Sequence, residues 1–263
     1  MVGSFWVDDV ALDGDDWFLT NATLLPSVAS RRVSQLELFR GQGVRTAKGG
    51  WGLGSLTVDL VVPEGGTGSV SSRLRRLQAL LAGSSEIRAE LDGLPVMACE
   101  VVGVDVSDPS RVGIEVWSLQ AKFTLQPFWV EGSHVNDGGA GAVTQALTGT
   151  GSLVFTQWAG STGVVRDGIL RVSGSATSVS VTASDGTGFT FPQPLTSSQS
   201  LFVDVEKFRA WVGAATDWNV TYSPAWLDWP PAGPLVLKPS SDGVRLTLNG
   251  GTGLALKGRR WWL

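Results

Sequence analysis

Cysteine, histidine and long apolar runs are scarce in this 263-residue chain, and each scarcity excludes a class of protein. One cysteine, Cys99, excludes an internal disulfide framework. No apolar run approaches the roughly 18 residues that span a bilayer. The opening MVGSFWVDDV lacks the basic and apolar segments of a signal peptide. The sequence therefore predicts a reduced, soluble protein that is made in a cytoplasm and does not insert into membranes.

Residues that commonly carry enzyme chemistry are also few. The only histidine, His134, lies in a Gly-rich stretch that is poorly suited to a fixed catalytic or metal geometry. Met97 and Val101, which would point to the same side of a strand as Cys99, are apolar, so the thiol is predicted to pack in the core. Asp204 and Glu206 would lie on the same side of one strand, as the two carboxylates of a glycosidase might. The adjacent Lys207 and Arg209 would neutralise them, which favours two exposed charges on the solvent side of a sheet. No P-loop, Gly-x-Ser-x-Gly or dinucleotide fingerprint occurs. We therefore expect no enzyme activity and no cofactor.

The net charge of −4 is unevenly distributed. Residues 1–30 carry five aspartates and no lysine or arginine, whereas residues 31–130 total +1 and residues 131–263 total zero. No basic field is available to attract nucleic acid. The acidic start lacks the ligand spacing and terminal glutamate of an EF-hand, so we interpret it as a solvated or subunit-facing hairpin.

The clearest strand pattern runs from Val112 to Val130. Apolar residues occupy even positions up to Val116 and odd positions from Trp117 onward. Such alternation predicts a β-strand with one buried side. The change of phase exchanges the two sides, so we expect a β-bulge or strong bend there, within one long strand or between two strands. Pro127 then ends the pattern, which predicts a domain boundary at residue 130.

Residues 1–130 are typical of a mainly β, α+β domain with a single helix. The helix is predicted over residues 72–82, where three leucines form one stripe and Gly83 follows. Arg73, Arg75 and Arg76 are expected on its outer face. A hairpin turn is predicted at Asp13-Gly14, and the glycine-rich residues 40–54 predict a long loop.

The remainder of the chain predicts a linker followed by an all-β domain. Residues 131–145 hold four glycines and no apolar alternation, which is typical of a linker. From residue 146 to residue 263, short alternating runs are separated by turn pairs such as Asp167-Gly168 and Asp242-Gly243. This spacing predicts a β-sandwich of the jelly-roll type.

Tryptophan is abundant, with twelve in the chain and seven after the predicted linker. Three of them, Trp218, Trp226 and Trp229, lie in a segment that prolines interrupt. Three interpretations remain open: these rings fill the core or cover an edge, they anchor a protein interface, or they stack on sugars.

The order of these elements resembles the distal tail protein, or minor tail protein, of phages with long, non-contractile tails. In the first half the resemblance rests on ALDGDDWFL, GSLTVDLVV, SSRLRRLQALLAG and AKFTLQPFWVEG. In the second half it rests on LFVDVEKFRAWVG, GPLVLKPSSDGVRLTLNGG and LALKGRRWWL. The resemblance implies a split-barrel-like ring domain followed by a galectin-like sandwich.

The function that this resemblance implies is structural. Six copies would form a ring at the distal end of the tail, join the tail tube protein to the tail-tip hub or baseplate protein, and provide a docking platform for receptor-binding proteins. The protein would lie in the virion, at the tail tip. The alternative is a carbohydrate-binding module that recognises a host glycan.

The candidate site residues form two sets. The candidates for subunit contact are Arg45, Trp51, Arg73, Arg75 and Arg76, and the candidates for outward binding are Trp218, Trp226 and Trp229.

Overall fold

The computed structural model describes residues 4–20, 31–37, 44–90, 96–112, 116–132, 142–216, 218–219 and 224–262. The chain divides into two compact units, residues 1–140 and residues 141–262. The described residues are mainly strands and contain one α-helix, which confirms the fold class predicted from the sequence. No helix in these ranges is long and apolar enough to cross a membrane.

The first unit is built on a curled antiparallel sheet. Its elements are β1 (Ser4–Val7), β2 (Val10–Ala11), β3 (Phe18–Leu19), β4 (Arg31–Glu37), β5 (Val44–Trp51), β6 (Gly54–Pro63), α1 (Val70–Ala82), β7 (Glu86–Glu90), β8 (Met97–Val106), β9 (Ser110–Arg111), β10 (Val116–Leu125) and β11 (Trp129–Glu131). The strand order is β2-β1-β7-β8-β10-β6-β3, and β9 and β11 pair with β10 and β8 respectively.

The core of this unit lies on one side of the long strands β6 and β10. Alternate residues of β10, including Leu119 and Phe123, are buried, while Gln120 and Lys122 between them are exposed. Helix α1 packs against β6 and β8 and buries the leucine stripe predicted from the sequence: Leu74, Leu77 and Leu81. Burial of such side chains contributes about 1.5–3 kcal/mol each, which makes this stripe the main attachment of the helix.

The helix begins two residues earlier than predicted. Ser69 is the N-cap, because its side-chain oxygen accepts a hydrogen bond from the backbone N–H of Ser72 at 3.2 Å. Gly83 ends the helix, as predicted, and its N–H donates to the carbonyl of Ala79.

The first hairpin turns at Asp8-Asp9, and the prediction of a turn at Asp13-Gly14 is wrong. Both aspartates have positive φ, 44° and 72°, which suits the tight turn between β1 and β2. The Asp8 carboxylate accepts hydrogen bonds from the Ser85 hydroxyl and the Glu86 N–H, both at 2.8 Å. Part of the acidic start therefore has a local structural role.

The change of apolar phase at Val116–Trp117 falls at the start of β10, and Ser110–Arg111 before it form a separate strand, β9, so the stretch holds two strands. Strand β9 pairs with β10 through Trp117↔Arg111 and Ser118↔Ser110, and the N–H of Val112 donates to the carbonyl of Val116. A bulge does occur in the β10–β8 pairing, but it lies at Thr124/Leu125.

Strands β4 and β5 form a separate two-stranded ribbon. The prediction of a loop over residues 40–54 is therefore wrong for β5 and for the start of β6, while residues 38–43 lie outside the described ranges. Backbone hydrogen bonds define such a ribbon, so its sequence need not show apolar alternation.

The second unit is a sandwich of two antiparallel sheets. Its strands are β12 (Val143–Thr148), β13 (Gly151–Phe155), β14 (Ile169–Ser173), β15 (Val179–Ala183), β16 (Gly188–Phe191), β17 (Ser200–Asp204), β18 (Arg209–Gly213), β19 (Pro239–Ser240), β20 (Gly243–Asn249), β21 (Gly253–Gly258) and β22 (Trp261–Trp262). One sheet has the order β12-β21-β14-β17-β18, and the other has the order β13-β20-β15-β16 with β19 beside β20.

The sandwich core receives alternate side chains from both sheets. Leu170, Leu201 and Leu256 come from the first sheet, and Val181 and Leu246 from the second. This arrangement is the expected packing of two half-buried sheets face to face.

The predicted linker is shorter than residues 131–145, because Val143–Gln145 already belong to strand β12. Gln145 occupies an inward-facing position of this strand. Its side chain accepts a hydrogen bond from the N–H of Gln157 and donates one to the Thr156 hydroxyl. A glutamine at this position conceals the alternation that would otherwise have indicated a strand. Residues 133–141 lie outside the described ranges.

Candidate functional site

Several backbone edges of the first unit are open among the described residues. Within the part of the chain that the structure describes, β4 and β5 pair only with each other. The long strand β6 pairs with β10 along its whole length, whereas on its other side the pairing among the described residues is confined to Phe18, Leu19 and Thr20. Open strand edges carry unpaired N–H and C=O groups that can pair with another chain.

The same unit also exposes apolar side chains. These are Val10, Phe18, Leu53, Val96, Val102 and Val112. Val102 lies on β8, and the apolar positions of that strand from Val101 onward are only partly covered. Scattered exposed apolar residues are ordinary, and among these Phe18 lies on β3, next to the side of β6 that is only partly paired among the described residues.

Arg73 is buried, so the prediction that it lies on the outer face of the helix is wrong. Its guanidinium donates hydrogen bonds to the carbonyl oxygens of Glu64 at 2.9 Å, Gly65 at 3.0 Å and Asp16 at 3.3 Å. These acceptors lie on the loop before the helix and on the segment before β3. Arg73 therefore ties three parts of the unit together and offers no surface for subunit contact.

Arg75 and Arg76 do lie on the outer face. Arg76 forms an ion pair with Asp16, and its guanidinium carbon lies 4.9 Å from the centroid of the Trp17 ring. The hydrogen bond from Arg76 lowers the pKa of Asp16. Arg76 is thus already engaged within its own unit, and Arg75 is the better placed of the two for an external contact.

Two further interface candidates, Arg45 and Trp51, belong to strand β5. Their backbone takes part in the β4–β5 ribbon, and their side chains lie outside the description. Their role in subunit contact remains a prediction.

Trp218 packs on its own sandwich, against the prediction that it faces outward for binding. Its ring lies edge-on to Phe202 at 5.6 Å, and the guanidinium of Arg171 lies 5.1 Å from its centroid. Phe202 also stacks on Trp211 at 5.3 Å. These rings cover the outer side of strands β17 and β18, so the edge-cover interpretation holds for Trp218.

Trp226 and Trp229 are exposed, and a third ring that the sequence reasoning missed joins them. The exposed fractions are 81% for Trp226, 39% for Trp229 and 57% for Phe208. Phe208 and Trp229 meet edge-on, with centroids 6.2 Å apart and planes at 86°. We call these three residues the aromatic face.

The turn before β18 holds Phe208 outward. Asp204 ends β17 and is buried, and its carboxylate accepts a hydrogen bond from the N–H of Lys207 at 3.0 Å. The prediction that Asp204 is an exposed charge is therefore wrong. Phe208 then takes a φ of +50°, in the left-handed region that residues with a large side chain seldom adopt. An aspartate three residues before a lysine was the only sequence signal of this turn.

The two tryptophans are carried by a segment that crosses between the edges of the two sheets. The N–H of Ala225 donates to the carbonyl of Ala210 on β18, and Asp228 exchanges two hydrogen bonds of 2.8 Å with Thr190 on β16. Ala225 and Leu227 pack against the core, so Trp226 between them points to solvent.

Two open grooves, each of about 330 Å³, share Phe208 as a wall. One lies between Phe208, Arg209, Trp226 and Trp229, and the other between Phe208, Val205, Glu206 and Pro234. The size falls at the lower end of small-molecule sites. Arg209 is exposed, and its guanidinium makes no hydrogen bond or ion pair with the described residues.

The remaining sequence candidates give no reactive centre among the described residues. Cys99 is fully buried, which confirms the core-thiol prediction, and burial raises its pKa to about 12. No group of three or more His, Cys, Asp or Glu in the described ranges could hold a metal ion. His134 lies outside these ranges.

The fold resembles that of one phage tail protein of known structure. No protein-family model and no curated protein sequence matches the chain. The Dit protein of phage SPP1, described as a paradigm of the hub adsorption apparatus in phages that infect Gram-positive bacteria, aligns over 100% of both chains, with a TM-score of 0.63 and 16% identity. A chain of the activated baseplate of phage p2 aligns over 99% of this chain and 98% of its own, with a TM-score of 0.39 and 8% identity. The resemblance to distal tail proteins inferred from the sequence is thus confirmed at the level of the fold.

Proposed function

We propose that this chain is a distal tail protein of a phage with a long, non-contractile tail. It forms a homohexameric ring that joins the tail tube to the tail tip. The observation that carries the proposal is the likeness in fold to the SPP1 Dit protein over the full length of both chains. The two units then have different tasks: the first builds the ring, and the second presents a surface to other components.

The open edges of the first unit support this role. A ring of identical subunits uses two different surfaces of each protomer, so every open edge finds a partner and none is left at an end. Pairing through backbone groups at the outer edges of β4 and β5 would satisfy these edges, and covering the exposed side chain of Phe18 would add buried area.

The proposed partners follow from the position in the tail. One side of the ring contacts the tail tube protein and the other contacts the tail-tip hub or baseplate protein, while the second unit is the docking platform for receptor-binding proteins. Arg75 is the exposed helix residue that we place at a subunit contact, together with Arg45 and Trp51 of the ribbon. The protein makes and breaks no covalent bond, and it resides at the tail tip of the virion.

The proposal is tested by the mass and the shape of the purified full chain. Native mass spectrometry is expected to show six chains of 27.7 kDa each, and negative-stain electron microscopy is expected to show closed rings. Some ring proteins assemble only on a partner, so the measurement is repeated with the neighbouring tail proteins. A strict monomer under both conditions would refute the ring.

Charge reversal at the helix tests the subunit contact separately. Arg75→Glu is expected to shift the population toward smaller species, because it places a carboxylate where the contact holds a guanidinium. Lys122→Glu on β10 is the matched control, since Lys122 is also exposed and the change in net charge is the same. Equal assembly of both variants would refute the place of Arg75 at the subunit contact but would not contradict the proposed ring.

A further inference from the structure

We infer that the aromatic face of Phe208, Trp226 and Trp229 is a carbohydrate-binding site that stacks on a pyranose ring, with Arg209 donating hydrogen bonds to its hydroxyls. The inference goes beyond the assembly role and does not depend on it, because every residue involved belongs to the second unit. It names a ligand class that the outward surface of the sandwich would take.

The exposure of these rings is the first argument. The sandwich buries Phe155, Phe189 and Phe191 completely or nearly so, so its core has no shortage of aromatic residues. Leaving an indole 81% exposed at Trp226 forgoes the favourable burial that such a large apolar side chain would otherwise contribute. A ring held in water in this way is available to a ligand that covers it.

The fixed orientation of the rings is the second argument. Phe208 is held by a turn with left-handed φ, and Trp229 meets it edge-on at 86°. The hydrogen bonds of its segment to both sheets fix the backbone position of Trp226. A preorganised aromatic surface loses little entropy on binding and can accept the C–H groups on one side of a sugar ring.

The polar surroundings are the third argument, and they favour a glycan over a protein partner. Lys207 and Arg209 flank Phe208, and Asp228 lies beside Trp229. Arg209 lines the same groove as Phe208 and the two tryptophans, so a charged donor lies within the aromatic face, unlike the charge-depleted core of a protein interface. A sugar, in contrast, needs one apolar face and hydrogen-bonding groups at its rim.

The groove dimensions are consistent with this ligand. Each groove of about 330 Å³ matches the lower end of the range for small-molecule sites, and a chain of two or three sugar residues would extend along the surface beside Phe208. The exposed guanidinium of Arg209 lines the groove between Phe208 and the two tryptophans.

The test is binding of the full chain to an array of defined oligosaccharides that contain neutral hexoses, N-acetylhexosamines, deoxyhexoses or uronic acids. Each positive glycan is then titrated by calorimetry against the wild type, Trp226→Ala, Phe208→Ala and Thr247→Ala. The first two variants are expected to bind about tenfold more weakly or worse, because each removes one stacking surface. Thr247→Ala is the control, since Thr247 is exposed on strand β20 of the same unit and lines neither groove.

Several outcomes would overturn the inference. They are the absence of binding to every glycan at millimolar concentration, unchanged affinity in Trp226→Ala, or loss of co-sedimentation with a receptor-binding protein in that variant without any glycan binding. The last result would make the aromatic face a protein interface. The oligomeric state of each variant is measured in parallel: a monomer that binds glycan would refute the ring and leave this inference standing.

Discussion

Replacement of Arg73 by methionine is expected to destabilise the first unit far more than the same replacement two positions along the helix. Arg73 is 1% exposed and donates three hydrogen bonds to backbone carbonyls, so Arg73→Met removes the donors while nearly preserving the volume. Arg75 is exposed, which makes Arg75→Met the control with the same chemical change when both variants are unfolded at a protein concentration at which the chain is monomeric.

The size of the effect follows from the hydrogen bonds. Those made by a charged donor contribute about 1.5–3 kcal/mol each, but Glu64 and Gly65 are exposed, so their carbonyls regain water when the guanidinium is lost. The expected loss in the free energy of unfolding is therefore about 3 kcal/mol for Arg73→Met, against less than about 0.5 kcal/mol for Arg75→Met. Arg73→Lys should fall between them, because an ammonium group can replace only part of the three-carbonyl contact.

The single cysteine provides an assay that reports on the first unit alone. Cys99 is fully buried in that unit, so its reaction with a thiol reagent during urea unfolding follows the opening of this core. Circular dichroism of the whole chain would mix the transitions of the two units. The reasoning would be refuted if Arg73→Met lowered the free energy of unfolding by less than about 1 kcal/mol, or if the two methionine variants lost equal amounts, because the buried guanidinium would then contribute little to the stability of the unit.

Three further predictions concern the turns and the titrating groups. Gly243→Ala should destabilise the sandwich by about 3 kcal/mol or more in urea unfolding, because φ of Gly243 is +117° and an added Cβ would lie 2.1 Å from a carbonyl oxygen of β13. Gly233→Ala is the control: φ of Gly233 is +101°, but an added Cβ would meet open space, so the loss should be only about 1–2 kcal/mol. The ion pair with Lys238 lowers the pKa of Asp185 to about 2 from its usual 3.8, so this contribution to stability is present above pH 4 and lost as the pH falls toward 2. The urea midpoint of Asp185→Asn should accordingly lie below that of the wild type at pH 7 and meet it near pH 2. The thiol of Cys99, with a pKa raised to about 12, should resist alkylation at pH 8 in the native chain and react fully in denaturant, and rapid native labelling would contradict its burial.

Local sequence signals predicted the elements whose stability depends on one apolar side. The leucine stripe and Gly83 located α1 to within two residues, and the alternation of β10 identified its buried positions Leu119 and Phe123. The two-sheet sandwich followed from turn pairs and short alternating runs. In each case burial of one side of the element imposes a period that can be read directly from the residues.

Contacts between distant residues could not be predicted in this way. Arg73 fits the polar side of the helix by sequence, but three backbone carbonyls 8 to 57 residues away accept its hydrogen bonds and make burial favourable. Strand β5 was missed because backbone pairing carries no side-chain signature, although an imperfect alternating run indicates its partner β4. Trp218 and Trp226 lie in the same proline-interrupted segment, and the contacts of Trp218 with Phe202 and Arg171, which come from distant strands, cover the first ring while the second stays exposed.

The contrast between backbone and side-chain contacts bears on how this fold can persist at low sequence identity. If the ring closes through strand edges, its contacts use N–H and C=O groups that every residue except proline supplies, so few side chains are constrained. A fold match at 16% identity is what such an assembly permits.

The aromatic face is the opposite case, since its geometry depends on Phe208, Trp226 and Trp229 themselves. It follows that substitutions on this face should change which ligands are bound while leaving the oligomeric state unchanged. Substitution of Arg75 should change the oligomeric state and leave ligand binding unchanged, so the two proposed roles of the chain are separable by mutation.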